Sequence, residues 1–325
     1  MPTTPATSTT TSTMSNLVQT AYDKYIEFNL RSEPMFRKFA DKRPVDVTNP
    51  GNTVVFQVYT DLSRATSALT QTEDPDAVQL SNTNRVNVTV NEYGNAVITT
   101  EKLALESLSA IDPAVADMLS FNMRDSLDAI VWNKLTTLAT GRFTGASSAD
   151  ESTLNGEDVS ASTTAANITA ALARKGVAKL RGANVSPRDG GFYTAFIHPD
   201  VSYDLRSEAQ SSGSAVWQLP HTYTDAGVGN LWTGEIGIFD QIRYIETPRA
   251  ESISGSGTSK VFATVLLGKQ ALIEAVTYEP KTVIGPVTDK LMRFRPAGWK
   301  GLLGWNIFRK EARYVIQTKS SIAQA

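Results

Sequence analysis

Residues 112–139, DPAVADMLSFNMRDSLDAIVWNKLTTLA, are the stretch on which the fold turns. Val115, Leu119, Met123, Leu127, Ile130 and Leu138 recur at the three-to-four spacing of one helix face, and Met118, Val131 and Leu135 widen the stripe. Asp112 suits the N-cap and Pro113 the first helical position, because the early backbone amides of a helix have no carbonyl partners inside it. Gly141 supplies a stop. Drawn from Pro113 to Ala139, the helix would be on the order of 40 Å long at ~1.5 Å per residue, roughly twice the globular mean. Such a helix is a spine along which other elements pack.

Upstream of it lie two β-rich runs. Thr53-Val54-Val55-Phe56-Gln57-Val58-Tyr59 follows Asn49-Pro50-Gly51, and Arg85-Val86-Asn87-Val88-Thr89-Val90-Asn91 alternates valine with polar residues as a half-buried strand does. Between them Asp61–Asn84 is polar and includes Thr70-Gln71-Thr72-Glu73-Asp74-Pro75-Asp76. Connections longer than ~12 to 15 residues without structure of their own are usually functional or disordered, so the pair predicts a long extended hairpin. Tyr93-Gly94-Asn95 is expected to turn the chain into a strand at Ala96–Thr100, with a short helical piece over 101–109. Nearer the start, Leu17, Ala21, Tyr25 and Phe28 mark an amphipathic helix, which Ser32-Glu33-Pro34 interrupts before Met35, Phe36 and Phe39. Detached from any core in the sequence pattern, this arm is expected to need another surface, such as a neighbouring subunit's, to cover its aromatics. The opening MPTTPATSTTTSTMS reads as a disordered polar tail and lacks the basic and apolar regions of a secretory signal.

Downstream, the small polar residues of Thr144–Thr164 read as a surface loop at a domain boundary. A second helix is expected over Asn167–Arg181 on Ile168, Leu172, Val177 and Leu180. Strands follow at Phe192–Ile197, Ile236–Phe239 and Ile242–Ile245, with a short helix at Val201–Arg206. Val261–Leu267 is apolar throughout, as in a strand buried on both faces, and an alternating strand at Ala312–Thr318 closes the fold. The fold class is α+β.

Composition narrows the chemistry. The 325 residues are 41% hydrophobic and 20% charged, enough for one large or two intimate domains. A formal net charge of -2 leaves no basic surplus for gripping phosphate backbones. The absence of cysteine removes disulfides, thiol catalysis and thiolate metal sites. No run approaches ~20 consecutive apolar residues, so no membrane span is expected. A catalytic triad or histidine-rich metal centre would have to use His198 and His221, the two histidines, with carboxylates. His198 precedes Pro199 at a strand end, where an imidazole commonly satisfies a backbone group, and His221 lies in a turn-like Pro220-His221-Thr222-Tyr223. Glu73, Asp74 and Asp76 lack the ligand spacing of a calcium loop and suit a solvated hairpin tip. Gly268-Lys269-Gln270 lacks the hydroxyl that holds magnesium, and Gly255-Ser256-Gly257 has no third glycine. No catalytic, cofactor-binding or metal residue is therefore assigned, and the chain is expected not to be an enzyme. Arg293, Arg295, Lys300, Arg309, Lys310 and Arg313, interleaved with Phe294, Trp299 and Trp305, could form either a nucleic-acid surface or a packing region whose cations pair with acids. The acidic balance of the whole favours the packing region.

The order of parts, together with Arg31-Ser32-Glu33-Pro34-Met35-Phe36, Asn91-Glu92-Tyr93-Gly94-Asn95-Ala96, Thr99-Thr100-Glu101-Lys102-Leu103, Phe196-Ile197-His198-Pro199-Asp200 and Gly298-Trp299-Lys300, resembles the major capsid proteins of tailed bacteriophages with the Hong Kong 97-type fold. Within them it is similar to the subfamily of the phage N4 coat protein, over nearly the whole chain beyond the tail. The resemblance implies a disordered tail at 1–16, an N-terminal arm at 17–50 and an extended hairpin loop at 51–95 that overlaps an adjacent subunit. A peripheral domain at 96–166 would hold the spine helix 113–139, an axial domain would span 167–275, and 276–325 would return to the peripheral domain. It implies a structural subunit that assembles with itself into hexamers and pentamers of an icosahedral shell, enclosing double-stranded DNA without reading its sequence. Scaffolding, portal and decoration proteins are the further partners implied, with no membrane and no small-molecule substrate; the place is the virion capsid, assembled in the bacterial host cytoplasm. Some relatives crosslink lysine to asparagine, but Asp61–Asn84 contains no lysine, which counts against a crosslink from the hairpin. The chain starts close to the arm, so a separate scaffold or none is expected. Removing Leu17–Phe39 is expected to leave a folded subunit that cannot close particles. The competing readings are an encapsulin-like nanocompartment shell of the same fold, a hydrolase built on the two histidines and carboxylates, and a β-rich fibre, against which the long helix argues.

Overall fold

The computed structural model describes residues 34–44, 53–58, 84–106, 111–137, 142–144, 167–188, 190–211, 235–250, 252–253, 260–284 and 293–322, with scattered positions from 62 to 78 and residues 289 and 291. In chain order the elements are β1 (Asp41–Pro44), β2 (Thr53–Val58), β3 (Asn84–Thr89), β4 (Asn91–Thr100), α1 (Glu101–Glu106), α2 (Ile111–Thr136), β5 (Arg142–Thr144), α3 (Ala170–Gly182), β6 (Tyr193–Ile197), α4 (Pro199–Ser211), β7 (Glu235–Phe239), β8 (Ile242–Glu246), β9 (Ser252–Ile253), β10 (Val261–Leu267), β11 (Leu272–Ile284), β12 (Phe294–Ile307) and β13 (Arg313–Thr318). Short 3-10 turns occupy Phe36–Phe39 and Lys310–Ala312. The described residues fall into two compact units, a smaller one within 95–121 and 282–299 and a larger one within 32–94, 122–281 and 300–325.

The larger unit is organised on a sheet in the order β5-β13-β10-β6-β8-β7, with β9 also on β10. β10 and β13 are interior neighbours in it, antiparallel, with Val265 opposite Val315 and Leu266 opposite Tyr314. Every residue of both strands is buried, because strands on both sides and helices on the faces leave no wet surface. The alternation read in 312–318 is therefore a property of the residues and not of their exposure: Arg313 and Gln317 are buried too. β7 and β8 form a two-residue hairpin whose central Asp240 and Gln241 both take positive φ, the geometry that matches strand twist. α3 is capped by Thr169, whose hydroxyl accepts from Leu172 N at 3.3 Å, and lays Ala173, Gly176, Val177 and Leu180 inward. A side chain at Gly176 would press on Leu266 and Tyr314, so glycine sets how closely α3 approaches the sheet.

A second sheet runs β1-β11-β12-β4, and β2 pairs with β3 as a separate ladder. Three features depart from the sequence reading. Tyr93-Gly94-Asn95 is no turn: β4 passes straight through it from Asn91 to Thr100, its backbone bonds drawn into the ladder with β12. β11 and β12, 13 and 14 residues long, were not foreseen, and the boundaries drawn at 95/96 and 275/276 fall inside β4 and β11. β12 carries Gly298, Gly301 and Gly304, poor strand formers that here mark where other backbone comes close, at Asn95, Pro280 and Thr89 respectively.

The long helix is present, shifted: α2 starts at Ile111 and ends at Thr136. Leu119, Leu127, Val131 and Leu135 are buried as the stripe requires, and Trp132 joins them, whereas Met118 is exposed. Leu138 and the proposed stop Gly141 lie outside the described residues. What meets the end of the helix is Arg313, whose Nη1 donates to the carbonyls of Lys134, Leu135 and Thr137 at 3.1, 2.7 and 3.1 Å. A cation at a helix C-terminus satisfies orphan carbonyls and the negative end of the dipole together.

Candidate functional site

Two features of the larger unit bear on what it can do, the hairpin β2–β3 and the segment 34–44. In the hairpin Phe56 faces Val86 and Val54 faces Val88. That face packs on Ile273 and Ala275, with Leu302 and Phe308 beside them. Arg43 lies over both Phe56 and Phe308, at 5.4 and 4.9 Å from the ring centres, and Asn306 donates to the Asn87 carbonyl at 2.7 Å. A Cβ at Gly304 would overlap the Thr89 carbonyl, so the base of the hairpin is seated by backbone against backbone. Beyond the base the character reverses. Every described residue from Leu62 to Val78 is exposed, including Leu62 at 55%, Leu69 at 76% and Val78 at 66%.

The segment 34–44 corrects the expectation of a detached arm. Phe36 and Phe39 are buried in the chain's own body: Phe36 stacks on Trp132 at 4.7 Å and meets Phe196 edge-on at 4.9 Å, and Phe39 meets Phe196 at 4.8 Å. The backbone amides of Met35 and Arg37 donate to the buried carboxylate of Asp128 on α2, at 3.3 and 3.2 Å. Asp128 also accepts from Arg249 Nε at 3.2 Å, and Arg249 pairs further with Asp125. Arg37 reaches Glu274 at 2.7 Å and Glu279 at 2.9 Å, and β1 then runs parallel to β11. Burial pushes the Asp128 and Glu274 carboxyls above the usual carboxylate range, opposed at Asp128 by the Arg37 amide and Arg249 and at Glu274 by Arg37. Sequence periodicity missed this docking because its partners, Trp132, Phe196 and Asp128, are far away along the chain. Residues 17–33 lie outside the described residues.

In the smaller unit apolar side chains stand in solvent, among them Leu105 at 80% and Ile284 at 84% exposure, with Ile98, Leu103 and Leu291. α1 and the strand start at Arg293-Phe294 form a cleft lined by Thr100, Lys102, Leu105 and Phe294.

The residues weighed for chemistry are scattered. His198 Nδ1 accepts from Asp200 N at 3.2 Å while its ring stacks on Phe262 at 4.5 Å, so it caps α4, in keeping with the backbone role read from the sequence. His221, Glu73, Asp76 and Gly255–Gly257 lie outside the described residues, and Asp74 is exposed. Gly268-Lys269-Gln270 is the tight connection between β10 and β11, with Gly268 N donating to Ala312 O at 2.8 Å and Lys269 N to Ser186 O at 3.0 Å, so its amides face protein. Among the described residues no group of three His, Asp or Glu side chains could hold a metal, and no helix is long and apolar enough to cross a membrane. In the basic C-terminal stretch Arg293 pairs with Asp289 at 2.6 Å, Arg313 caps α2, and Trp299 and Trp305 are buried. Of the six cations, Arg293 meets an acid as the packing reading asks, and Arg313 answers carbonyls at the end of α2. Arg295, Lys300, Arg309 and Lys310 are exposed.

Residues 8–314 match the family described as phage capsid protein. No curated protein matches the chain. Among solved structures it is similar to the capsid of Ralstonia phage GP4, with a TM-score of 0.70 at 13% identity over 98% of this chain and 100% of that one. The capsid of cyanophage P-SCSP1u gives 0.69 at 12% identity over 98% and 97%. The head of Helicobacter pylori bacteriophage KHP40 gives 0.68 at 14% identity over 98% and 99%.

Proposed function

This chain belongs to the phage capsid protein family and has the Hong Kong 97-type fold, and from that premise we propose that it is the major capsid protein of a tailed bacteriophage. In this reading it assembles with itself into the hexamers and pentamers of an icosahedral shell around double-stranded DNA. The observation that carries the reading is the hairpin: a base clamped to its own subunit by Ile273, Ala275 and Gly304, extended by a loop whose Leu62, Leu69 and Val78 have no cover. Apolar side chains held out on a fixed base suit burial against a second copy, and many such contacts of modest strength add up in a closed shell. The exposed apolar side chains of the smaller unit support the same reading.

The finer assignments are part of the proposal. The phrases Asn91–Ala96 and Phe196–Asp200 support membership of the phage N4 coat-protein subfamily. Residues 17–50 would be the arm, docked on its own body at 34–44, 51–95 the hairpin loop, 96–166 the peripheral domain, 167–275 the axial domain and 276–325 the return, with β4 and β11 running across the divisions at 95/96 and 275/276. Portal, scaffolding and decoration proteins would be further partners, DNA would be enclosed and not gripped, and assembly would take place in the host cytoplasm before the virion is released. Electron microscopy of the expressed chain tests this: closed particles are expected, while a compact monomer at every concentration would overturn it. Particles that carry a cargo peptide and no DNA when isolated from infected cells would favour a nanocompartment instead.

A further inference from the structure

His198 stands at the start of α4, the helix that also holds residues 320 and 321. Its Nδ1 accepts the Asp200 amide, and its carbonyl accepts the amides of Val201 and Ser202, so the first turn of α4 is assembled on this one residue. The same turn receives the C-terminal segment. Ser320 Oγ donates to the Asp200 carbonyl at 2.8 Å, Ser321 N donates to Asp204 Oδ2 at 2.9 Å, and the Ser321 hydroxyl pairs with the other Asp204 oxygen. Ser202, between them, donates to Glu246 of β8 at 2.5 Å. A neutral imidazole can present a bare nitrogen to a backbone amide and an imidazolium cannot, because both its nitrogens donate.

We propose that His198 is a pH-responsive clasp, whose protonation loosens the first turn of α4 and with it the docked segment 320–322. The groups that face the imidazole are Asp200 on α4, Glu246 on β8, which also pairs with Arg206 at 3.8 Å, and Lys260 at the entrance to β10. The carboxylates favour the cation, yet burial against Phe262 outweighs them and Lys260 adds to it, so the imidazole is held below its ordinary value. A histidine whose docked state resists the proton favours docking above the ordinary histidine range and loses that preference as the pH falls through it. The effect is local, since the clasp concerns one turn and residues 320–322. It does not depend on the shell reading.

Hydrogen exchange of the purified full-length chain, corrected for intrinsic rates, tests it between pH 7.5 and 5.5. In the natural chain exchange over 199–206 should rise about fivefold on acidification, the size of one lost cap. The segment 319–322 should rise with it, while β10 stays protected. H198N, which keeps an acceptor that does not titrate, should flatten both profiles. D204A, which removes both acceptors of Ser321, should free 320–322 at pH 7.5 with the first turn of α4 unchanged. A flat profile in the natural chain, a slope that survives H198N, or an α4 response that 319–322 does not follow would each overturn the clasp.

Discussion

Arg313 is the residue whose part is least visible in the sequence, where it stands as one cation of a basic run. In the fold it is buried and its Nη1 gathers three carbonyls at the end of α2. R313M keeps the bulk and removes every donor, so it should cost about 2 to 4 kcal/mol, read as a lowered urea midpoint with an unchanged slope. Glu274 makes a pH-dependent case. Burial raises its folded-state pKa, so folding takes up a proton there, and the associated stability is present in acid and lost as pH rises through the raised value. The stability difference between the natural chain and E274Q, followed by urea midpoints from pH 7 to 4.5, should therefore move in favour of the natural chain as pH falls. A difference constant with pH would mean that Arg37 alone fixes the carboxyl. Histidine 198 was legible as a structural residue from its place before Pro199, but its helix-end role needed the Asp200 amide to be seen beside it.

Among elements, β12 is the one that propensity hides. Its glycines weaken it as an isolated strand, yet each stands where another strand's backbone leaves no room for a side chain. G304A should push the Thr89 carbonyl away, at about 1 to 3 kcal/mol, and raise hydrogen exchange over 84–89 more than over 261–267. Equal loss in both segments would contradict a local seat for the hairpin. The elements legible in advance, α2, α3, β6 through β8 and β10, have residues whose own pattern matches their burial. Those that were misread, β4 at Tyr93-Gly94-Asn95 and the segment at Phe36–Phe39, depend on partners far along the chain.

For the whole molecule, the docked Phe36 and Phe39 change what a truncation can test. Deleting 17–39 would strip two core aromatics, at ~3 to 5 kcal/mol each when truncated, so loss of particles would not separate assembly from folding. Replacing 62–78 by a short Gly-Ser link leaves the hairpin base and its packing untouched. That variant should unfold at the same urea midpoint within about 0.5 kcal/mol and fail to form closed particles in the microscope; normal shells would contradict the loop's role. Length, composition and periodicity determined by themselves that this is an α+β chain with a long helix and a pair of upstream strands, lacking thiol chemistry, because helix and strand periods and residue counts are properties of neighbours in sequence. Only the tertiary structure decided where the helix ends, which aromatics are covered and which stay bare. Those outcomes belong to pairs such as Phe36 with Trp132, Arg313 with Leu135 and Gly304 with Thr89, which no local window contains.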